Sequence, residues 1–163
     1  MRRIVLIACT CLLACAAPEP LPEYGKIPQF ELTERCGRTV ALDELLGKVW
    51  VADFIFTTCA GPCPLMSANM KRLQAVLPES DDVRLVTFTV DPERDTAEAL
   101  TEYAKRYGAD ANRWLFLTGE KQALYDLIKT GFLQAVDDGS LTPVGQPGPG
   151  IITHSTRYTL IDR

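Results

Sequence analysis

Two cysteines, Cys59 and Cys63, stand in the segment TTCAGPCP (residues 57–64), between a predicted buried strand and a predicted helix. In α/β folds such a junction lies at the carboxyl edge of the sheet, where functional sites are usually found. The unpaired N–H groups and the dipole at the start of a helix favour a thiolate over a thiol. If both cysteines are helical, their i, i+4 spacing places the two sulfurs on one face. The two sulfurs can then bind one ion.

His154 is the chain's only histidine and stands just after the Pro- and Gly-rich segment 143–150. A lone histidine is often a structural residue, and that interpretation stays open. The position of His154 at the start of a predicted strand, Ile151–Ile161, would nevertheless let its side chain reach the start of the helix. Two thiolates suit Cu(I), and an added imidazole makes the same site tolerant of Cu(II). We therefore predict that Cys59, Cys63 and His154 bind one copper ion.

The same cysteine pair has other interpretations. Thiol–disulfide exchange is typical of Cys-x-x-Cys, and the additional residue between Cys59 and Cys63 weakens that interpretation without excluding it. Two inert structural cysteines are disfavoured, because cysteines at a strand–helix turn are partly exposed. A thiol peroxidase would need Thr-x-x-Cys, which Thr58-Cys59 does not match.

The elements that must position these residues follow from the hydrophobic pattern. Three apolar runs predict buried strands, at Val49–Phe56, Val83–Val90 and Trp114–Leu117. Apolar positions three and four residues apart predict helices between the strands, and the first has its stripe at Met66, Met70, Leu73 and Leu77. Two short runs, Gln29–Thr33 and Thr39–Leu42, predict a hairpin. This alternation predicts an α/β fold, with a central mixed sheet covered by helices on both faces.

The first residues predict export from the cytoplasm. Arg2 and Arg3 precede a short apolar run, so residues 1–14 are predicted to be a signal peptide, too short to span a bilayer. The sequence LLAC at residues 12–15 resembles a bacterial lipobox, with Cys15 as the lipid-bearing residue; a simple cleaved signal is the alternative. We expect a lipidated, Pro-rich tether at 15–28, a folded domain at 29–163 and an extracytoplasmic, membrane-anchored location.

Charge and cysteine content limit the possible partners. The chain of 163 residues has a formal net charge of −4, and its Lys and Arg residues are scattered, which argues against nucleic acid as a partner. Beyond Cys15, the cysteines are Cys36, Cys59 and Cys63, an odd number that cannot pair completely within the chain. Cys59 and Cys63 are the obvious pair. No function is evident for Cys36.

Four motifs in order resemble the SCO family of copper-delivery proteins. They are FIFTTC (54–59), CP (63–64), VDPERDT (90–96), and HS (154–155) leading into LID (160–162). The resemblance covers about residues 29–163. It implies a thioredoxin-like fold and copper held by Cys59, Cys63 and His154. For Asp91 we predict a position around the ligands without binding the ion; an equally good interpretation is a turn or capping residue before Pro92.

The resemblance also implies a function and partners. The family delivers copper to the dinuclear CuA centre in a subunit of cytochrome c oxidase, which predicts that subunit and an upstream copper donor as partners. A thiol–disulfide reductase, with Cys59 and Cys63 as catalytic residues, is the alternative. Only the copper-delivery function requires His154.

Overall fold

The computed structural model describes residues 22–138 and 152–163. The predicted signal peptide (1–14), the lipid attachment at Cys15 and the loop at 143–150 lie outside these residues. The first half of the predicted tether, residues 15–21, does too, and its residues 22–28 have no regular secondary structure. The helices in the two described ranges all fall short of the length and apolar character that a bilayer-spanning helix requires.

A mixed sheet of six strands forms the centre of the domain. The strands of this sheet are β1 Glu31–Glu34, β2 Thr39–Ala41, β3 Val49–Ile55, β4 Val83–Thr89, β5 Trp114–Thr118 and β8 Thr159–Ile161. Their order is β2-β1-β5-β4-β3-β8. The central strands β5, β4 and β3 are parallel, and β1, β2 and β8 pair antiparallel. A separate two-stranded ladder joins β6 Val136–Asp137 to β7 Thr153–His154.

Helices cover both faces of the sheet, as predicted. Successive residues of a strand point to opposite faces, and β3 shows this clearly: Trp50 and Phe54 belong to one core cluster, and Ile55 belongs to the other. The helices α1 Cys63–Val76 and α2 Ala97–Tyr107 contribute to the Ile55 side. Helix α3 Lys121–Asp126, continued by a π-helical turn at Leu127–Gly131, contributes to the Trp50 side.

The predicted final strand, Ile151–Ile161, is wrong as a single strand. In the described part, β7 and β8 are separate and pair with different strands, β6 and β3. Between them the Ser155 hydroxyl accepts a hydrogen bond from the Arg157 backbone N–H at 3.2 Å. Such a local side-chain contact offers the backbone an alternative to the ladder. The interruption places His154 on a small hairpin of its own.

Candidate metal centre

The loop between β3 and α1 carries both cysteines, but only Cys63 is helical. Helix α1 begins at Cys63, and Cys59 lies in the preceding loop, so the expected arrangement of both cysteines on one helical face is wrong. Prolines explain the late start. A helix that included Cys59 would place Pro64 in its interior, where a missing N–H and a steric clash break the ladder. With the helix starting at Cys63, Pro64 lies in the first turn, where no N–H is needed.

The two thiols have different surroundings. Cys59 is half-buried; its backbone N–H donates to the Phe56 carbonyl at 3.2 Å, and its Sγ accepts from the Gly61 N–H at 3.4 Å. Cys63 is fully buried in the core cluster under α1 and α2. Burial, followed by the hydrogen bond with Cys59, raises the pKa of the Cys63 thiol to about 12. The expectation that the helix start favours a thiolate is therefore wrong for Cys63, because desolvation outweighs the helix terminus.

His154 reaches the same place from the β6–β7 hairpin. Its register is fixed by pairing with Val136, and the next residue donates its N–H to the Ala135 carbonyl at 3.0 Å. The Nε2 atom lies 3.3 Å from the Cys63 Sγ, and Nδ1 lies 2.9 Å from the Ser155 carbonyl oxygen. A carbonyl can only accept, so this contact assigns the proton to Nδ1 and leaves a lone pair on Nε2. The ligand-competent tautomer therefore faces Cys63.

Burial also keeps the His154 ring neutral. Desolvation lowers the pKa of His154, with a smaller opposing effect from the Ser155 carbonyl. The ring packs edge-to-face against Phe56, with the ring centroids 5.7 Å apart. An uncharged imidazole is the form that binds a metal ion.

The ligand atoms of Cys59, Cys63 and His154 all lie within 4.8 Å of one another. Ligands about 2.0–2.3 Å from a common ion are separated by up to about 4 Å in a planar three-coordinate site. A small adjustment of one ligand would therefore complete such a site. Two sulfurs and one imidazole nitrogen form a donor set that suits copper.

The SCO1/SenC family model matches residues 19–163. The chain belongs to the SCO1/SenC family. A SCO1 protein homolog from Bacillus subtilis is 42% identical over 103 residues, which are 63% of this chain and 53% of the relative. The chain thus spans only about half the length of that relative. The membership confirms the family that the four motifs indicated.

Solved SCO structures share the fold. A SCO1/SenC family lipoprotein from Bacillus anthracis is similar at TM-score 0.73 and 36% identity, over 84% of this chain and 78% of that one. BsSco is a member of the Sco family of cytochrome c oxidase assembly proteins in which a disulfide switch has been identified. Its TM-score is 0.61 and its identity 38%, over 66% of this chain and 64% of BsSco. Copper-bound ScoI from Bradyrhizobium japonicum has a TM-score of 0.68 and an identity of 26%, over 85% of this chain and 84% of that one. These likenesses confirm the thioredoxin-like fold.

Asp91 of this SCO1/SenC chain lies in the turn after β4. It is buried, its backbone N–H donates to Thr89 Oγ1 at 2.9 Å, and its carboxylate accepts from the partly exposed Arg94 at 3.2 Å. Its carbonyl accepts the N–H groups of Arg94 and Asp95. These contacts are those of a turn residue. A role for Asp91 around the ligands stays a prediction.

Two buried carboxyl groups were not anticipated as parts of the site region. Asp53 of β3 accepts from Thr87 Oγ1 at 2.6 Å, its Oδ2 has no hydrogen-bond partner among the described residues, and burial raises its pKa to about 7. Asp95 points inward and accepts hydrogen bonds from Thr57 and Thr89, while Thr96 is the N-cap of α2. Asp53 had one sequence signal, a charged residue inside the apolar run 49–56. Asp95 had none.

Proposed function

We propose that this chain binds one copper ion through Cys59, Cys63 and His154 and delivers it to the CuA centre of a respiratory cytochrome c oxidase. The convergence of these three ligand atoms within 4.8 Å carries the proposal. Membership of the SCO1/SenC family and the copper-bound relative support it. The partners would be the copper-bearing oxidase subunit and an upstream copper donor.

The three ligands fit both oxidation states of the ion. Cu(I) is satisfied by two thiolates, whereas Cu(II) prefers more ligands with a nitrogen among them. The lone pair on His154 Nε2 supplies that nitrogen, and the Ser155 carbonyl orients the ring. Such an outer partner also raises the basicity of the imidazole.

Release by ligand exchange fits the difference in burial. Cys59 and His154 are half-buried and come from separate elements, the loop before α1 and strand β7, while Cys63 is anchored in the core. An acceptor's ligands could replace the two outer ligands first and the buried sulfur last. The ion would then pass between proteins without being free in solution.

A thiol–disulfide reductase remains the second candidate, and the unequal exposure of the cysteines favours it. The half-buried Cys59 thiolate would attack a partner's disulfide, forming a mixed disulfide and releasing one partner thiolate. The Cys63 thiol would then lose its proton to water as its sulfur attacks Cys59 Sγ, and the second partner thiolate would be released. The chain would end with a Cys59–Cys63 disulfide, and the partner would gain two electrons.

The variant His154→Ala separates the two functions. Copper delivery predicts that the variant keeps measurable Cu(I) binding, loses most Cu(II) binding and fails to support oxidase assembly in cells. Disulfide reduction in vitro should survive. Normal oxidase assembly together with unchanged Cu(II) binding would contradict the copper function. Loss of reductase activity in this variant would contradict the assigned role of the imidazole.

A further inference from the structure

We propose that Asp95 is a positioning residue for the metal centre. Its carboxylate holds Thr57 and so fixes the loop that carries Cys59 relative to Cys63 and His154. This inference rests on the copper site proposed above. It adds a residue outside the three ligands whose loss changes copper affinity and the dithiol–disulfide balance.

The Asp95 carboxylate accepts hydrogen bonds from three donor groups. Thr57 contributes its backbone N–H at 3.0 Å to Oδ2 and its hydroxyl at 2.5 Å to Oδ1, and Thr89 contributes its hydroxyl at 2.6 Å to Oδ2. Asp95 itself is fully buried. All these partners donate, so the ionised carboxylate fits them, and a neutral amide of the same shape would not. Hydrogen bonds to a charged, buried acceptor are among the stronger ones.

Thr57 directly follows Phe56, the residue that contacts both His154 and Cys59. Phe56 packs its ring on the His154 imidazole, and its carbonyl accepts the Cys59 N–H at 3.2 Å. Thr57 is the next residue, so fixing its backbone N–H and its side chain restrains both contacts. One carboxylate therefore constrains the surroundings of Cys59 and of His154.

Asp95 is attached to a rigid element on its other side. Its backbone N–H donates to the Asp91 carbonyl at 2.8 Å, and the next residue, Thr96, caps α2 by accepting the Ala99 N–H at 3.3 Å. Thr89, the other donor to Asp95, ends the central strand β4. The loop between β3 and α1 (residues 56–62, here called the metal loop) is thus connected through Asp95 to the start of α2 and to the sheet.

The hydrogen bonds between Thr57 and Asp95 favour the dithiol form, in which the sulfurs of Cys59 and Cys63 are not bonded to each other. Cys59 and Cys63 are both free thiols while the Asp95 contacts are made. A disulfide needs the two sulfurs about 2.05 Å apart, so oxidation requires the loop at Cys59 to move. Movement at Thr57 would strain its bonds to Asp95. Loss of the contacts between Asp95 and Thr57 should therefore lower the copper affinity and make the Cys59–Cys63 disulfide more favourable.

The test measures three properties of Asp95→Asn: Cu(I) affinity by competition with a chromophoric chelator, the Cys59–Cys63 equilibrium in glutathione buffers, and thermal stability. We expect copper affinity to fall about tenfold or more, as for other residues that orient metal ligands. The disulfide should become about two- to tenfold more favoured, the equivalent of one hydrogen bond. A purely structural role would lower stability without moving the disulfide equilibrium.

Glu34→Gln is the matched control. Glu34 is also buried, and its carboxylate accepts a backbone N–H, that of Cys36 at 2.7 Å, in the β1–β2 turn. It should leave both copper affinity and the disulfide equilibrium unchanged. If Asp95→Asn does not fold, Thr57→Val removes one donor and should shift both quantities in the same directions, with Thr57→Ser restoring them.

The positioning role and the copper site can fail separately. If the wild type binds no copper, the proposed function is wrong, while the disulfide equilibrium still tests Asp95. A folded Asp95→Asn, or Thr57→Val in its place, with wild-type disulfide equilibrium and wild-type copper affinity would overturn the positioning role. An equal shift in Glu34→Gln would overturn it as well.

Discussion

The proposed role of the His154 imidazole as a copper ligand depends on a backbone carbonyl. The Ser155 carbonyl oxygen, 2.9 Å from Nδ1, accepts a hydrogen bond from the Nδ1–H and so leaves the lone pair of Nε2 facing the Cys63 sulfur. Burial lowers the pKa of the ring and raises that of the Cys63 thiol, so desolvation favours the neutral form of each. The proposed copper binding would therefore displace a proton from Cys63, whereas the neutral His154 ring already offers a free lone pair.

Asp53 should make the stability of the fold depend on pH. An unfolded aspartate ionises near pKa 3.8, whereas burial raises the pKa of Asp53 to about 7. Between these values the folded chain holds an additional proton, so the free energy of unfolding falls as the pH rises through this window, by up to about 1.4 kcal/mol per pH unit. Asp53→Asn removes this contribution. Denaturant titrations from pH 4 to 8 should show a flatter profile for the variant, with a relative gain of a few kcal/mol at pH 8.

The exposed Asp162 provides the control for this experiment. Asp162→Asn should follow the wild-type profile, because its side chain is in water in both states. Parallel profiles for Asp53→Asn and wild type would show that Asp53 is ionised throughout the window, contrary to its burial.

At the scale of elements, the β1–β2 turn places Cys36 far from Cys59 and Cys63. Cys59 and Cys63 flank the start of α1 at the carboxyl edge of the parallel strands. Cys36 is exposed in the β1–β2 turn, where the neighbouring Arg35 donates to the Ala109 carbonyl in the loop before β5. That loop lies at the opposite edge of the sheet. Cys36 therefore has no route to the metal loop in the folded chain.

Oxidation should join Cys59 to Cys63 and abolish copper binding. Their sulfurs lie within 4.8 Å, so a local movement of the loop suffices, and a disulfide offers no thiolate to the ion. Peptide mapping of the air-oxidised protein by mass spectrometry should find this link and a free Cys36. A dominant bridge from Cys36 to either partner would contradict the topology.

Sequence patterns predicted the elements better than their connections. The apolar runs predicted β3, β4 and β5 to within one residue at each end, because buried strands leave a strong hydrophobic signal. The same signal merged β7 with β8, since hydrophobicity does not reveal a change of pairing partner. The inward turn of Asp95 was likewise hidden, because its role depends on Thr57, 38 residues away. Cys59, Cys63 and His154 could be predicted from their types and from the family resemblance.

At the scale of the whole molecule, the sheet brings together Cys63 and His154, two proposed ligands that are 91 residues apart in the chain. Strand β3 leads directly to the metal loop, and β8 pairs antiparallel beside it, with Thr159 opposite Ala52. Because β8 runs away from the site, the chain just before it lies at the metal-loop end. The pairing of β8 with β3 therefore places His154, five residues before Thr159, near the two cysteines.

Membrane attachment is the prediction that concerns the chain outside the described residues. Cys15 in the lipobox should carry the lipid, and the several acyl chains of a bacterial lipoprotein anchor stably where a single chain would not. Fractionation of cells expressing the full-length gene should recover the protein with membranes, and Cys15→Ser should release it. A Cys15→Ser protein that stays as membrane-bound as wild type would contradict lipid attachment at this residue.

The central claim is that Cys59, Cys63 and His154 together hold one copper ion. X-ray absorption spectroscopy of the copper-loaded protein counts the atoms bound to the ion and distinguishes sulfur from nitrogen. For the Cu(II)-loaded wild type, and for Cys36→Ser as the matched cysteine control, we expect one copper per chain bound by two sulfurs and one imidazole nitrogen. In Cys63→Ser one sulfur should disappear. A wild-type spectrum without the imidazole nitrogen, or a sulfur lost in Cys36→Ser, would contradict it.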